Sequence, residues 1–161
     1  MKFGITGQQY LKHKDMWIWV KQELRNILFP FKGSLLGISS FAKGSDQIFI
    51  ESVLELNGKI YLIIPYSNYI SNLSKNEKIL LDKINRLRFK IKIQNSCGDN
   101  EIDYYKVGRY IVDNSDVMIS IWDGKISQSI GGTSQIVEYA LSNRKKIIQL
   151  NPTLNKVIEF D

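Results

Sequence analysis

Runs of β-branched and aliphatic residues alternate with amphipathic stretches along the whole chain, and few folds accommodate that alternation. Residues 2–6, 34–38, 59–64, 89–93, 117–122 and 146–150 read as strands. Residues 15–29, 46–56, 74–87, 101–114 and 133–142 read as helices. Within 15–29, Trp17, Val20, Leu24, Ile27 and Leu28 share one face, and Pro30 lies just beyond the end. Within 46–56 the inward set is Ile48, Phe49, Val53 and Leu56, and Asn57-Gly58 stops the helix. The KIYLII run at 59–64 is a buried-strand candidate closed by Pro65, and VMISIW at 117–122 is the clearest central strand. The pattern predicts an α/β protein: a three-layer Rossmann-like fold with a mostly parallel central sheet and helices on both faces. In such a sheet ligands bind outside the carboxyl ends of the strands.

Three unusual segments fall at those ends. The first is Thr6-Gly7-Gln8-Gln9, where Gly7 permits close approach and Gln8 or Gln9 suits a base or ribose. It is not GxGxxG, so a dinucleotide site is disfavoured. The second is Lys43-Gly44-Ser45-Asp46. Ser45 is a natural N-cap and Asp46 complements the helix dipole, which is a sufficient structural role. The functional alternative gives Asp46 the ribose hydroxyls and Lys43 a phosphate. The third runs from Asp123-Gly124 to Gly131-Gly132-Thr133, directly before a helix. Two glycines and the first-turn N–H groups favour an anion, typically phosphate; a glycine-rich loop capped by Thr133 is the other reading. Asp123 reads either as a loop cap or as a ligand contact. Arg109, on the preceding helix, suits a phosphate clamp or a surface pair with Asp113.

Composition narrows the chemistry. The 161 residues fit one domain, 1–161, and contain one histidine and one cysteine. No zinc cluster and no internal disulfide can form from His13 and Cys97, and neither a metal nor a cofactor is implied. The start reaches Gly4 and Thr6 too early for an apolar signal segment, and no membrane span is indicated. The expectation is a cytoplasmic protein. Net charge is +6. Most of that excess lies between Lys75 and Lys92, in Lys75, Lys78, Lys83, Arg86, Arg88, Lys90 and Lys92. A nucleic-acid patch would use such a run. A solvated helix face followed by an edge strand with protective lysines explains it as well and is preferred.

The three loops, in this order, resemble those of the SLOG superfamily, the Rossmann-like nucleotide-binding domains of the DNA-processing (Smf/DprA) and Lonely Guy type. The match runs through Gly4-Ile5-Thr6-Gly7, Gly37-Ile38 and Gly44-Ser45-Asp46-Gln47-Ile48, and is most specific from Gly108 to Ala140. The resemblance implies a ligand with nucleotide or phosphoribosyl groups, held by the glycine loop and the helix it feeds. Lonely Guy phosphoribohydrolases carry a Glu three residues after the motif threonine; Ile136 stands there in this chain. Cleaving an N-glycosidic bond needs a carboxylate near the anomeric carbon. The expectation is therefore binding without turnover, as in the superfamily's stand-alone sensor-like branch. That branch implies a sensor, carrier or sequestering protein for an ADP-ribose-like or cyclic nucleotide signal in bacterial or phage defence, and a homo-oligomer. The alternatives are an N-glycosidase using Asp46, Asp123 or Glu138, and a nucleic-acid-binding protein.

Overall fold

A computed structural model describes residues 1–85, 89–126 and 129–161. The elements in chain order are β1 (Lys2–Gly7), α1 (Lys14–Leu28), β2 (Leu36–Ser39), α2 (Ser45–Glu55), β3 (Lys59–Ile64), α3 (Lys75–Asn85) and β4 (Phe89–Ile93). There follow α4 (Asn100–Asn114), β5 (Val117–Ile121), α5 (Thr133–Ser142), β6 (Lys146–Asn151) and β7 (Lys156–Phe160). Short 3₁₀ turns occupy Phe29–Phe31 and Ile70–Asn72. The strands form one sheet in the order β4-β3-β2-β1-β5-β6-β7. All neighbours are parallel except β6 and β7.

Period-two alternation divides the sheet between two cores. Phe3 and Ile5, Ile60, Leu62 and Ile64, and Ile119 and Ile121 face α1, α2 and α3. Ile38, Ile63, Met118 and Ile147 face α4 and α5. This is the alternation expected from the run of strands and helices, and the α/β architecture stands as read. From β1 the chain steps outward to β4, then returns to the other side of β1 for β5 and β6. The order therefore reverses between β1 and β5, which is where a doubly wound sheet opens a crevice.

Some details differ from the expectation. The strand β7 was not foreseen. Its KVIEF run lies at a sheet edge, mostly exposed, and pairs only with β6 through a turn in which Asn151 Oδ1 accepts from the Thr153 and Leu154 amides. In α1, Trp19 rather than Trp17 packs beside Val20, Leu24 and Leu28. Glu77, Leu81 and Ile84 are the buried residues of α3, and residues 86–87 lie outside the described residues. No helix among the described residues is long and apolar enough to cross a membrane.

Candidate ligand-binding cleft

A cleft of about 770 Å³ opens where the strand order reverses. Thr6, Gly7, Gln8 and Tyr10 enter it from the end of β1, and Ser40, Ala42 and Asp46 from the end of β2. Trp122, Asp123, Lys125 and Ile130 come from the segment after β5. Gly131, Gly132, Thr133 and Ile136 belong to the start of α5, and Glu101, Tyr104 and Gly108 to α4. A smaller concavity, of about 520 Å³, lies at the opposite strand ends beside Lys2, Lys59 and Lys90.

Hydrogen bonds fix the cleft walls to one another. The Gln8 amide donates to the Ile121 carbonyl at 3.0 Å, joining the β1 loop to β5. The Gln8 carbonyl accepts the Ser45 hydroxyl at 2.6 Å. Gly44 makes that contact possible: its φ is +74°, and a Cβ there would run into the Gln9 backbone. Gly44, not Ser45, is the N-cap of α2, and Ser45 is its first helical residue. The segment after β5 is braced from β6. Gln149 Nε2 donates to the Trp122 carbonyl at 3.0 Å, and Asn151 Nδ2 to the Asp123 carbonyl at 3.3 Å.

Asp46 is buried at the cleft floor, and its Oδ2 accepts the Ser39 hydroxyl, the Ser40 hydroxyl and the Ser40 amide at 2.8–2.9 Å. Burial raises its carboxyl above the ordinary carboxylate value, against the pull of those donors. Its lone pairs thus fold the loop after β2. Gly131 has φ +77°, and a Cβ there would lie 2.9 Å from the Tyr105 amide nitrogen, so this glycine lets the loop lie against α4. Its N–H donates to Gln135 Oε1 at 2.9 Å, and the Gly132 N–H donates to the Ser129 carbonyl at 3.2 Å.

Of the residues singled out from the sequence, Thr6, Gly7, Gln8, Asp46, Asp123, Gly131, Gly132 and Thr133 line the cleft. Gly124 sits between the lining residues Asp123 and Lys125 without lining it. Arg109 does not line it either. Its guanidinium lies 4.7 Å from the Tyr139 ring centroid and donates to the Tyr139 hydroxyl, which donates to Asp113. The expected partner Asp113 is reached, but through a tyrosine. Lys43 is exposed on the rim of α2, and its charge acts on Glu77. Glu138 is exposed and outside the cleft. Ile136 is 2% exposed and packs its Cδ1 against Gly108, a contact that lets α4 and α5 approach closely.

Tyr10, Glu101 and Tyr104 were not foreseen. The Tyr104 ring is held edge-on by Tyr66 and Tyr69, with centroids at 6.3 and 6.5 Å. The basic run divides. Lys75, Lys78 and Lys83 are exposed on α3, whereas Lys90 and Lys92 alternate with Ile91 on β4 and face the other side of the sheet. Arg86 and Arg88 lie outside the described residues. β4 is an edge strand, as the lysines implied.

No family model and no curated protein matches the sequence. Solved structures do match. DNA processing protein A from Streptococcus pneumoniae aligns over 92% of this chain and 49% of its own, with a TM-score of 0.69 and 18% identity. The chain shares its Rossmann-like fold. DNA processing protein A from Helicobacter pylori, described in a single-stranded DNA binding mode, aligns over 92% of this chain and 64% of its own, at a TM-score of 0.67 and 18% identity. The chain thus spans about half to two thirds of the length of these proteins. The Moco carrier protein from Chlamydomonas reinhardtii aligns over 93% of this chain and 75% of its own, at 0.56 and 15%. The SLOG resemblance read from the loops is, at these identities, a likeness of fold.

Proposed function

We propose that this chain binds a nucleotide-derived small molecule in the cleft without turning it over, as a sensor, carrier or sequestering protein. The observation that carries the reading is the cleft itself: it opens at the strand-order reversal, and its walls come from the ends of β1, β2 and β5 and from the starts of α4 and α5. The position at which the resemblance requires a catalytic Glu is filled by Ile136, packed against Gly108. Two proteins of this fold, named as a Moco carrier and a molybdenum cofactor binding protein, support a small-molecule binding role. ADP-ribose-like and cyclic nucleotides are the signals to screen, and bacterial or phage defence is the setting in which such a binder would act.

The test is thermal unfolding with a panel of nucleosides and nucleotides, for the wild type and Gly132→Trp. Gly132 lines the cleft and has φ −68° and ψ 163°, a conformation open to any residue, so the substitution adds no backbone strain and sets an indole at the cleft wall. A ligand at one hundred times its Kd stabilises by about 2.7 kcal/mol. For a chain of this length that raises Tm by roughly 5–11 °C. The wild type shifts and the variant does not. Equal shifts in both would remove the site assignment.

A further inference from the structure

The cleft's chemistry narrows the ligand beyond the reading above, on which this inference rests. A phosphate cradle draws on free N–H groups and on cations, and several of the expected donors are otherwise engaged. Both glycine amides of the 131–132 pair donate within the loop, to Gln135 and Ser129. Arg109 is stacked on Tyr139 outside the cleft, and Lys43 does not line it. Among the described lining residues Lys125 is the one cation, and its Nζ lies 3.9 Å from Asp123 Oδ2.

Against that single cation stand Glu101 and Asp123, with the buried Asp46 at the floor. A chain of net charge +6 therefore carries a cleft lined by an excess of carboxylates. The rim, by contrast, is apolar and aromatic. Tyr10 is 75% exposed, Tyr104 37%, Ile126 89% and Ile130 46%, and all four border the cleft. Trp122 stands behind them, its Nε1 fixed to the Lys125 carbonyl at 2.8 Å. Rigid rings beside acceptors suit a planar heterocycle with ribose hydroxyls. They do not suit a pyrophosphate, whose charge would meet carboxylates in a partly desolvated site.

We propose that the cleft takes a nucleoside-like ligand bearing no more than one negative charge, its base against the Tyr104 side of the rim and its hydroxyls toward Glu101 and Asp123, and that it discriminates against diphosphates. Each added negative charge lowers affinity by roughly tenfold. The experiment is calorimetric titration of the full chain, at low salt, with adenosine, adenosine 3′,5′-cyclic monophosphate, ADP and ADP-ribose, and with the matching guanosine, cyclic monophosphate and GDP. The nucleoside and the cyclic monophosphate of one base bind at least tenfold more tightly than its diphosphates. Glu101→Gln narrows that gap by raising diphosphate affinity several-fold. If ADP, GDP or ADP-ribose binds most tightly, the charge inference is overturned while the cleft reading stands. If none of the seven binds, the cleft reading fails and this inference fails with it.

Discussion

Replacing Asp46 by alanine tests whether the floor of the cleft is built as described. The substitution removes the acceptor of three hydrogen bonds, from the Ser39 hydroxyl, the Ser40 hydroxyl and the Ser40 amide. The hydroxyls can turn to other acceptors, but the amide cannot. An unpaired buried donor costs about 1–3 kcal/mol, and losing a buried carboxylate returns part of its desolvation penalty. A net loss of about 2 kcal/mol corresponds to a Tm lower by roughly 4–8 °C. The pH dependence supplies a second readout. Burial raises the Asp46 carboxyl in the folded chain, so the folded state holds this proton where the unfolded state has released it. That contribution is fully present below the unfolded value and fades as pH rises through the folded one. The difference in Tm between wild type and Asp46→Ala is therefore larger at pH 5 than at pH 8. A Tm change under about 2 °C at both pH values would refute the view that this carboxylate folds the loop after β2.

Arg109→Ala leaves ligand affinity within about twofold in a binding titration, because the guanidinium lies on Tyr139 and not in the cleft; a tenfold loss would return it to the site. Ile136→Glu buries an uncompensated charge against Gly108 and destabilises by about 3–5 kcal/mol in urea denaturation; an unchanged midpoint would show that the helices part there. Asp103 accepts from the Ser96 hydroxyl at 2.5 Å and the Cys97 amide at 3.0 Å, and the Ser96 bond first, then the Cys97 amide, hold its carboxyl down at about 2. Its stabilisation is present above the ordinary carboxylate value and is lost as pH falls toward 2. Denaturation of Asp103→Asn should accordingly show a deficit at pH 6 that closes as pH approaches 2; a constant deficit would contradict the assignment.

The central parallel strands were legible as short aliphatic runs buried by the sheet, as KIYLII and VMISIW are, and edge strand β4 through the apolar–basic alternation of FKIKI. Edge strand β7 was not, because KVIEF is too short and too exposed for its period to stand out from a tail. Local capping rules named Ser45, whereas tertiary contact took its hydroxyl for Gln8 and left the cap to Gly44. The same holds for Arg109, whose partner on α5 lies 30 positions away. Glycines and acids at the ends of β1, β2 and β5 were readable as cleft residues, since a parallel sheet gathers those ends. Glu101 and Tyr104 carried a usable signal that was passed over. A helix following a parallel strand starts at the carboxyl edge, so the first turn of α4 belongs to the cleft wall. Tyr10 carried none, because its place depends on how the 8–13 segment leaves β1.

Native mass spectrometry of freshly purified wild type and Gly132→Trp, followed by denaturing release of anything retained, tests the central claim most directly. The account predicts that a nucleoside-like molecule bound by the wild type is recovered intact and is not retained by the variant. Retention of the same molecule by both chains, or recovery of an added nucleotide as free base and ribose phosphate, would contradict it.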